Sequence, residues 1–181
     1  MGKLYSYMFI SMEKDNEDVE NFHDRCKLVL EYEENEDKVH DSYLGFVSNG
    51  VVGEKTRLYR SVNARDEERM RDELMIKLLR DNPSMANMES VMMSVAKSDF
   101  CRAEYKWLIN LESNDESILG GICVNLSEMG IPHIVTKTPN GYAIVCEHSF
   151  NPIAFKEKWK GVDFTINKDG FLFKEVQENL K

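Results

Sequence analysis

The sequence predicts an α+β fold, in which helices pack on a mostly antiparallel sheet, within a single domain over residues 1–181. Short apolar segments rich in aromatic and β-branched residues alternate with segments of helical periodicity. Turn signals such as Asn49-Gly50 and Asn140-Gly141 are typical of directly connected strands. No linker, internal repeat or low-complexity tract interrupts the 181 residues, a length that suits one hydrophobic core.

The first sixty residues are predicted to form a strand, a helix and two further strands. Residues 4–10 are aromatic and apolar, which is typical of a strand. Residues 16–32 are predicted to be helical because apolar side chains recur at spacings of three and four; these are Val19, Phe22, Cys26 and Val29. Residues 42–48 and 56–62 are predicted as strands.

Two helices are predicted to follow. Ser61 or Asn63 caps the first, which runs to about Arg80 and stops before Pro83. Its apolar face includes Met70, Leu74 and Leu78. A second helical face is formed by Met85, Met88, Met92 and Val95, a pattern typical of adaptable core packing.

The second half predicts a strand–helix–hairpin unit similar to an RNA-recognition fold. Residues 104–111 form the strand, residues 113–116 supply a capping box for a helix, and Gly130 ends that helix. Thr138-Pro139-Asn140-Gly141 joins two strands into a hairpin. A short helix beginning at Asn151 and a final hairpin over residues 162–176 complete the chain.

The net charge of −9 is unevenly distributed. Residues 13–41 contain twelve acidic and four basic residues, so this segment alone carries −8. The segment predicts either a solvated acidic helix or a surface that binds a basic partner. It also divides the chain into an acidic part, residues 1–56, and a remainder, residues 57–181. The candidate partner-binding residues are Glu17, Asp18, Glu20, Asp24, Glu31, Glu33, Glu34, Glu36 and Asp37.

The arginines are concentrated elsewhere, since seven of the eight lie between Arg57 and Arg102. Arg57, Arg60 and Arg65 are candidates for contacting nucleic acid. The alternative is ordinary surface charge, because acidic residues interleave with the arginines after Arg65.

Cysteine and histidine spacings predict neither a disulfide framework nor a metal centre. Cys26, Cys101, Cys123 and Cys146 lack a CxxC motif, so reduced, mostly structural cysteines are expected. No histidine pair has zinc-ligand spacing, and Cys146 and His148 lack a third group that would orient a nucleophile. No cofactor is predicted.

No apolar run reaches the length that a membrane-spanning helix needs, and a location in the cytoplasm of a bacterial host is expected.

Three segments carry a family resemblance. They are residues 57–65, which include Arg60-Ser61-Val62-Asn63-Ala64-Arg65, the strand over residues 104–112, and residues 131–146, which include the hairpin Lys137-Thr138-Pro139-Asn140-Gly141-Tyr142. Residues 162–176 are a further candidate for the same match. With them the chain resembles a phage-borne family related to the archaeo-eukaryotic primase catalytic core, over about two-thirds of its length. The resemblance implies a primase-like scaffold with a metal site for phosphoryl transfer.

The positions that would carry this chemistry are altered. The resemblance implies an Asp-x-Asp pair that holds metal, where this chain has Asn110 and Glu112. It also implies a histidine that contacts phosphate, where this chain has Ala143. Loss of these groups should impair phosphoryl transfer, which depends on positioning and electrostatics. No metal is therefore expected.

Size and charge also resemble the type II-A anti-CRISPR inhibitors of bacteria and phages. This second resemblance implies a non-catalytic protein that binds Cas9 with its guide RNA and blocks DNA cleavage. One alternative is a primase-like nucleotidyltransferase or nuclease in which Glu112 still holds Mg²⁺. Another is a single-stranded nucleic-acid binding module with stacking residues Tyr105, Trp107 and Tyr142. The oligomeric state is left open.

Overall fold

The structure, a computed structural model, describes residues 2–181. It confirms the α+β class, since five α-helices accompany two antiparallel four-stranded sheets within those residues. The strands are β1 (Leu4–Ser11), β2 (Arg25–Tyr32), β3 (Lys55–Ser61), β4 (Trp107–Leu111), β5 (His133–Thr138), β6 (Gly141–Cys146), β7 (Phe164–Asn167) and β8 (Phe171–Glu178). The helices are α1 (Glu36–Ser48), α2 (Glu67–Asp81), α3 (Met88–Ala96), α4 (Glu116–Glu128) and α5 (Pro152–Lys158).

The first sheet, here called sheet A, has the order β2-β1-β3-β8. Tyr5, Tyr7 and Phe9 of β1 are buried beneath α1. Beyond their contribution to burial, the rings pack at tilted angles, with 5.5 Å between the ring centroids of Phe9 and Tyr43. The first predicted strand is therefore confirmed, and it is central to this sheet.

The predicted helix over residues 16–32 is wrong. Residues 25–32 form β2, which pairs with β1 along its whole length from Arg25 opposite Ser11 to Tyr32 opposite Leu4. The sequence of β2 does alternate, with apolar Cys26, Leu28 and Leu30 on one face and polar Arg25, Lys27 and Glu31 on the other. The three- and four-residue spacing of the apolar side chains over residues 19–29 masks this alternation. Cys26 is exposed instead of lying on an apolar helix face.

The predicted strand over residues 42–48 is also wrong, because this segment belongs to α1. Val39, Tyr43 and Val47 are buried at a spacing of four residues, which places them on one helix face. The Tyr43 hydroxyl donates to the Thr56 carbonyl oxygen at 2.7 Å. Burial and the nearby Glu175 carboxylate raise the pKa of Tyr43, so this hydroxyl stays protonated and can donate.

The helices α2 and α3 pack together beside sheet A. Neither predicted residue caps α2, because Asp66 accepts a hydrogen bond from the Arg69 N–H at 3.0 Å. Met70 is buried as predicted. The predicted face of α3 is only partly correct, because Val95 is buried whereas Met92 is 41% exposed and Met85 lies exposed before the helix. Met93, outside the predicted face, is buried instead.

The second sheet, here called sheet B, has the order β5-β6-β4-β7. It confirms the predicted strand–helix–hairpin unit, since β4, α4 and the β5–β6 hairpin follow one another. Ile109 of β4 and Ile144 of β6 are buried against Ile122 and Leu126 of α4. Gly130 adopts a positive φ of 69° after α4, a conformation that glycine adopts without steric cost.

The predicted hairpin over residues 162–176 is wrong in its pairing, although both strands exist. β7 pairs with β4 in sheet B, whereas β8 pairs with β3 in sheet A. The last strand therefore returns to the sheet that the first sixty residues form. The predicted division at residue 56 therefore separates an acidic part of the chain from the rest. It does not separate the two sheets, because β8 belongs to sheet A.

The junction between the sheets is built around the segment that follows β3. The Asn63 side chain donates to the Lys106 carbonyl oxygen at 3.0 Å and accepts from the Lys106 N–H at 2.7 Å. The Val62 N–H donates to the Gly170 carbonyl oxygen at 2.9 Å. The sheets thus meet where β3 ends and where β8 begins.

Two further findings bear on the sequence predictions. In the described part of the chain, no helix is long and apolar enough to cross a membrane. The four cysteines are free thiols, and Cys146 is fully buried. Burial raises the pKa of the Cys146 thiol to about 12, which removes the thiolate that a nucleophile requires.

Candidate functional site

A polar cleft of about 130 Å³ lies between the two sheets. One wall comes from β3 and β8 of sheet A, and the other comes from the end of β4 and the β5–β6 hairpin of sheet B. The lining residues are Lys14, Arg57, Tyr59, Asn110, Leu111, Glu112, Thr138, Pro139, Asn140, Tyr142, Phe171 and Phe173. Asn110 and Glu112, two of the positions to which the primase resemblance assigns a role, therefore lie in one cleft.

Ala143, the third of these positions, is the neighbour of Asn110 on the adjacent strand. Asn110 of β4 is directly opposite Ala143 of β6. Residues opposite each other in an antiparallel pair share a face and lie about 5 Å apart. The Ala143 methyl is 1% exposed and packs with Leu108 and Val145 instead of lining the cleft.

The β5–β6 hairpin lies tightly against the end of β4. A Cβ atom at Gly141 would lie 2.0 Å from the Leu111 carbonyl oxygen, so no side chain fits there. This contact places Thr138, Pro139 and Asn140 at the cleft beside Glu112. The Lys137 ammonium lies 4.1 Å from the centroid of the Tyr142 ring, an arrangement that favours cation–π attraction.

The opposite wall carries positive charge. Arg57 is 9% exposed and forms an ion pair with Asp15. Its Nη1 also donates to the Tyr59 hydroxyl at 3.3 Å. Burial alone would lower the pKa of Arg57, but the bonds to Tyr59 and Asp15 raise it overall, so the guanidinium is charged. One buried oxygen of Asp15, Oδ2, has no hydrogen-bond partner among the described residues.

These residues do not fit the metal that the primase resemblance implies. Glu112 is the one carboxylate that lines the cleft within residues 2–181, and it lies with Asn110, Arg57 and Lys14. A site for divalent cations needs several oxygen ligands with negative charge, whereas here two cations line the same space. No group of three histidine, cysteine or acidic side chains in the described chain could hold a metal ion.

Asp163 and Asp169 do not add a second carboxylate to the cleft. The Asp163 backbone carbonyl accepts from the Glu112 N–H at 3.1 Å, but the Asp163 side chain does not line the cleft. Asp169 forms an ion pair with Arg65 and accepts from Asn63 at 3.2 Å, so it belongs to the junction between the sheets.

The three candidate nucleic-acid arginines have separate environments. Arg57 lines the cleft. Arg60 is 3.0 Å from Glu33 and lies over the Tyr5 ring, 4.5 Å from its centroid. The Arg65 side chain is 2% exposed, so the prediction that it contacts nucleic acid is wrong, because a buried side chain cannot reach a surface ligand.

The three candidate stacking residues also lie in different environments. Tyr142 lines the cleft, and Tyr105 is 57% exposed outside it. Trp107 is 8% exposed and packs on Phe150, with 5.1 Å between ring centroids. Trp107 is therefore a core residue and contributes nothing to an open surface.

Sequence reasoning missed four lining residues, which are Lys14, Tyr59, Phe171 and Phe173. Tyr59 and Phe173 are opposite each other on β3 and β8, with 5.8 Å between ring centroids. Only the pairing of the last strand with β3 brings them to the cleft. The local sequence carries no signal for that long-range pairing.

The nine candidate acidic residues form two groups at opposite ends of the β1–β2 pair. The loop group comprises Glu17, Asp18, Glu20 and Asp24, and the helix group comprises Glu31, Glu33, Glu34, Glu36 and Asp37. Eight-residue strands separate the groups by about 23 Å. Within the described chain, Glu33 pairs with Arg60 and Glu36 with Lys174, whereas none of the loop group forms an ion pair. The expectation of one acidic helix face is therefore wrong.

Comparisons with known proteins do not add a relative to this picture. No protein-family model matches the chain, and no curated protein matches it.

Proposed function

We propose that the chain is a non-catalytic binding protein that inhibits a nucleic-acid enzyme of a bacterial host, with guide-loaded Cas9 as the specific partner. The observation that supports this most directly is the pairing of Asn110 with Ala143. It brings an amide and a methyl group together where the primase resemblance implies a metal-binding aspartate and a phosphate-binding histidine. A scaffold altered at both positions is better suited to binding than to phosphoryl transfer.

The charges around the cleft agree with this proposal. Lys14 and Arg57 line the cleft opposite Asn110 and Glu112. Arg57 is paired with Asp15, so Lys14 is the cation that would repel a metal ion here, and Glu112 alone supplies too little negative charge to hold one. The residues thus favour an anionic or neutral occupant over Mg²⁺.

The loop group is the better candidate for the partner-binding surface. Glu17, Asp18 and Glu20 are exposed and form no ion pair within residues 2–181. Unpaired carboxylates on an exposed loop present negative charge to a basic protein surface, much as nucleic-acid phosphates do. Such complementarity speeds encounter and makes binding sensitive to salt.

A charge-reversal experiment tests this surface. Glu17→Lys, Asp18→Lys and Glu20→Lys together should weaken binding to guide-loaded Cas9 at least about tenfold at low salt. The same three changes at Glu116, Glu157 and Glu178, which are exposed elsewhere, change the net charge equally and should leave affinity nearly unchanged. Biolayer interferometry and a DNA-cleavage assay give the two readouts. Equal effects of the two variants would contradict a localised surface, and wild-type protein that neither binds nor inhibits would remove Cas9 as partner.

A reversal in the helix group separates the two acidic surfaces. Glu33 and Glu36 already bind Arg60 and Lys174, so they offer less free charge than the loop group. Lysine at Glu31, Glu33, Glu34 and Glu36 should therefore weaken binding less than the loop variant. A larger effect in the helix group would move the partner-binding surface to α1.

A second candidate function is binding of single-stranded nucleic acid in the cleft. It is favoured by one observation, namely that Tyr142 and Arg57 line the same cleft, where a base could stack and a phosphate could bind. Tyr142→Ala should then abolish a gel shift with a labelled oligonucleotide, while Tyr105→Ala, outside the cleft, should not. Absence of any shift by the wild-type protein would exclude this candidate and leave the inhibitor proposal intact.

A further inference from the structure

β2 presents an open backbone edge along one side of sheet A. It stands at the end of the strand order and pairs only with β1 among residues 2–181. All eight of its residues are engaged with β1. A long edge strand is a template for pairing with another strand, so its side chains show whether pairing is favoured or prevented.

Two opposite charges stand on the same side of this strand. Lys27 and Glu31 lie opposite Phe9 and Tyr5 of β1, on the face that α1 covers. Lys27 Nζ donates only a long bond to Ser42 Oγ at 3.4 Å. Glu31 accepts from Asn35 at 2.8 Å and from the Tyr32 N–H at 2.9 Å. Neither forms an ion pair within the described residues, in contrast to Lys174 of β8, which pairs with Glu36 at 3.1 Å.

Glu31 carries its negative charge at neutral pH. The hydrogen bonds from the Asn35 side chain and the Tyr32 N–H lower the pKa of this carboxyl. The edge therefore holds a full positive and a full negative charge, four residues or about 13 Å apart. Val29 lies midway between them.

We propose that β2 pairs with β2 of a second copy of this chain, antiparallel and centred on Val29. In this register Lys27 of each copy is opposite Glu31 of the other, so two ion pairs form across a two-fold axis. Leu28 of each copy is opposite Leu30 of the other. The two four-stranded sheets join into one sheet of eight strands.

The surroundings of the edge are suited to such a contact. Leu28, Leu30 and Met92 border a shallow groove along β2, between α1 and α3. Met92 is 41% exposed, so apolar surface is available beside the paired backbones. Charge complementarity selects a second copy as the occupant, because the sequence of β2 is complementary to itself in this register. The dimer does not depend on the inhibitory function proposed above.

A charge-swap series tests the register. Lys27→Glu and Glu31→Lys each replace two attractive cross-strand pairs with two repulsive ones, and each should weaken the dimer about tenfold. A one-to-one mixture of the two single variants should form a heterodimer, because every opposing pair is then again of opposite charge. The double variant should dimerise as the wild type does.

Sedimentation velocity at low salt gives the readout, and circular dichroism checks that each variant is folded. Lys160→Glu and Glu157→Lys, both exposed away from β2, are the matched controls and should leave the dimer unchanged. A wild-type protein that stays monomeric up to its solubility limit would overturn the proposal. So would single variants that dimerise as well as the wild type, since the interface would then lie elsewhere, and so would a mixture that fails to form a heterodimer.

Discussion

Arg65 and Asp169 join the two sheets through an ion pair, with 2.7 Å between Arg65 Nη1 and Asp169 Oδ2. Arg65 follows β3 of sheet A, and Asp169 lies in the connection that leaves sheet B at β7 and enters sheet A at β8. The Arg65 side chain is 2% exposed and that of Asp169 is 13% exposed. The pair therefore closes the junction at the point where the chain crosses between the sheets, next to the cleft wall formed by β8.

Removal of Asp169 should destabilise the protein strongly. Asp169→Ala leaves the Arg65 guanidinium buried without a counter-charge, which costs about 3 kcal/mol or more. Urea denaturation followed by tryptophan fluorescence measures the change in the free energy of unfolding. Glu128→Ala is the control, because Glu128 pairs with Lys158 and both side chains are more than half exposed, so its loss should cost less than about 1 kcal/mol. Equal losses in the two variants would contradict a structural role for the Arg65–Asp169 pair.

Acid should weaken the protein partly through Glu54. This side chain is 1% exposed, and Arg25 Nη2 lies 2.5 Å from its Oε1. Burial alone would raise the pKa of Glu54, but hydrogen bonds from Arg25 and the Val51 N–H lower it overall, below the ordinary value of 4.5. A carboxyl with a depressed pKa in the folded state stabilises the protein above its unfolded pKa and loses this contribution as pH falls through the folded value.

A glutamine variant isolates this contribution. Glu54→Gln should be less stable than the wild type at neutral pH, because Arg25 loses its charged partner. The difference should shrink as the pH falls below about 4.5. Urea titrations at a series of pH values measure it, with the exposed Glu116→Gln as control. A difference that stays constant down to acid pH would show that Glu54 does not carry the effect.

The cleft should gain metal affinity when a second carboxylate is introduced. Asn110→Asp places a second carboxylate two residues from Glu112 on the same cleft wall. Two carboxylates provide the charge that a divalent cation requires, so Mn²⁺ should bind at least about tenfold more tightly than to the wild type. Isothermal titration calorimetry measures this, and Asn114→Asp, exposed beside the cleft strand, controls for net charge. Wild-type protein that binds Mn²⁺ as tightly as Asn110→Asp would favour the enzyme alternative.

The part of the fold that sequence predicted well is the part held by local signals. The unit from β4 to β6 follows the predicted order because Gly130 and the turn before Gly141 mark its boundaries. The cleft wall formed by Asn110 and Glu112 was therefore found from sequence. Ala143 was singled out only through the primase resemblance, and its place opposite Asn110 depends on the pairing of β4 with β6.

Two parts of the structure were not predicted from the sequence. One is a strand whose apolar residues happen to recur at helical spacing, and the other depends on pairing between strands that are far apart in the chain. Val19, Phe22, Cys26 and Val29 recur at helical intervals, yet Cys26 and Val29 lie on a strand because β2 pairs with β1 along its full length. The opposite cleft wall, with Tyr59 and Phe173, exists only because β8 returns to β3. Pairing with distant strands thus determines secondary structure and strand position where the local periodicity of the sequence does not.

The N-terminal cap of α4 differs from the cap that the sequence predicts. The pattern from Ser113 to Glu116 predicts Ser113 as the cap, but the structure has Asp115 in that role. Asp115 Oδ1 accepts from the Ser117 N–H at 2.8 Å and from Ser117 Oγ at 2.7 Å, and these bonds lower the pKa of Asp115. Asp115→Ala should therefore lower Tm more than Ser113→Ala at neutral pH. Because the depressed pKa is lost to protonation, the Asp115 effect should fade as the pH falls below about 3.8, and a larger effect at Ser113 would contradict the observed cap.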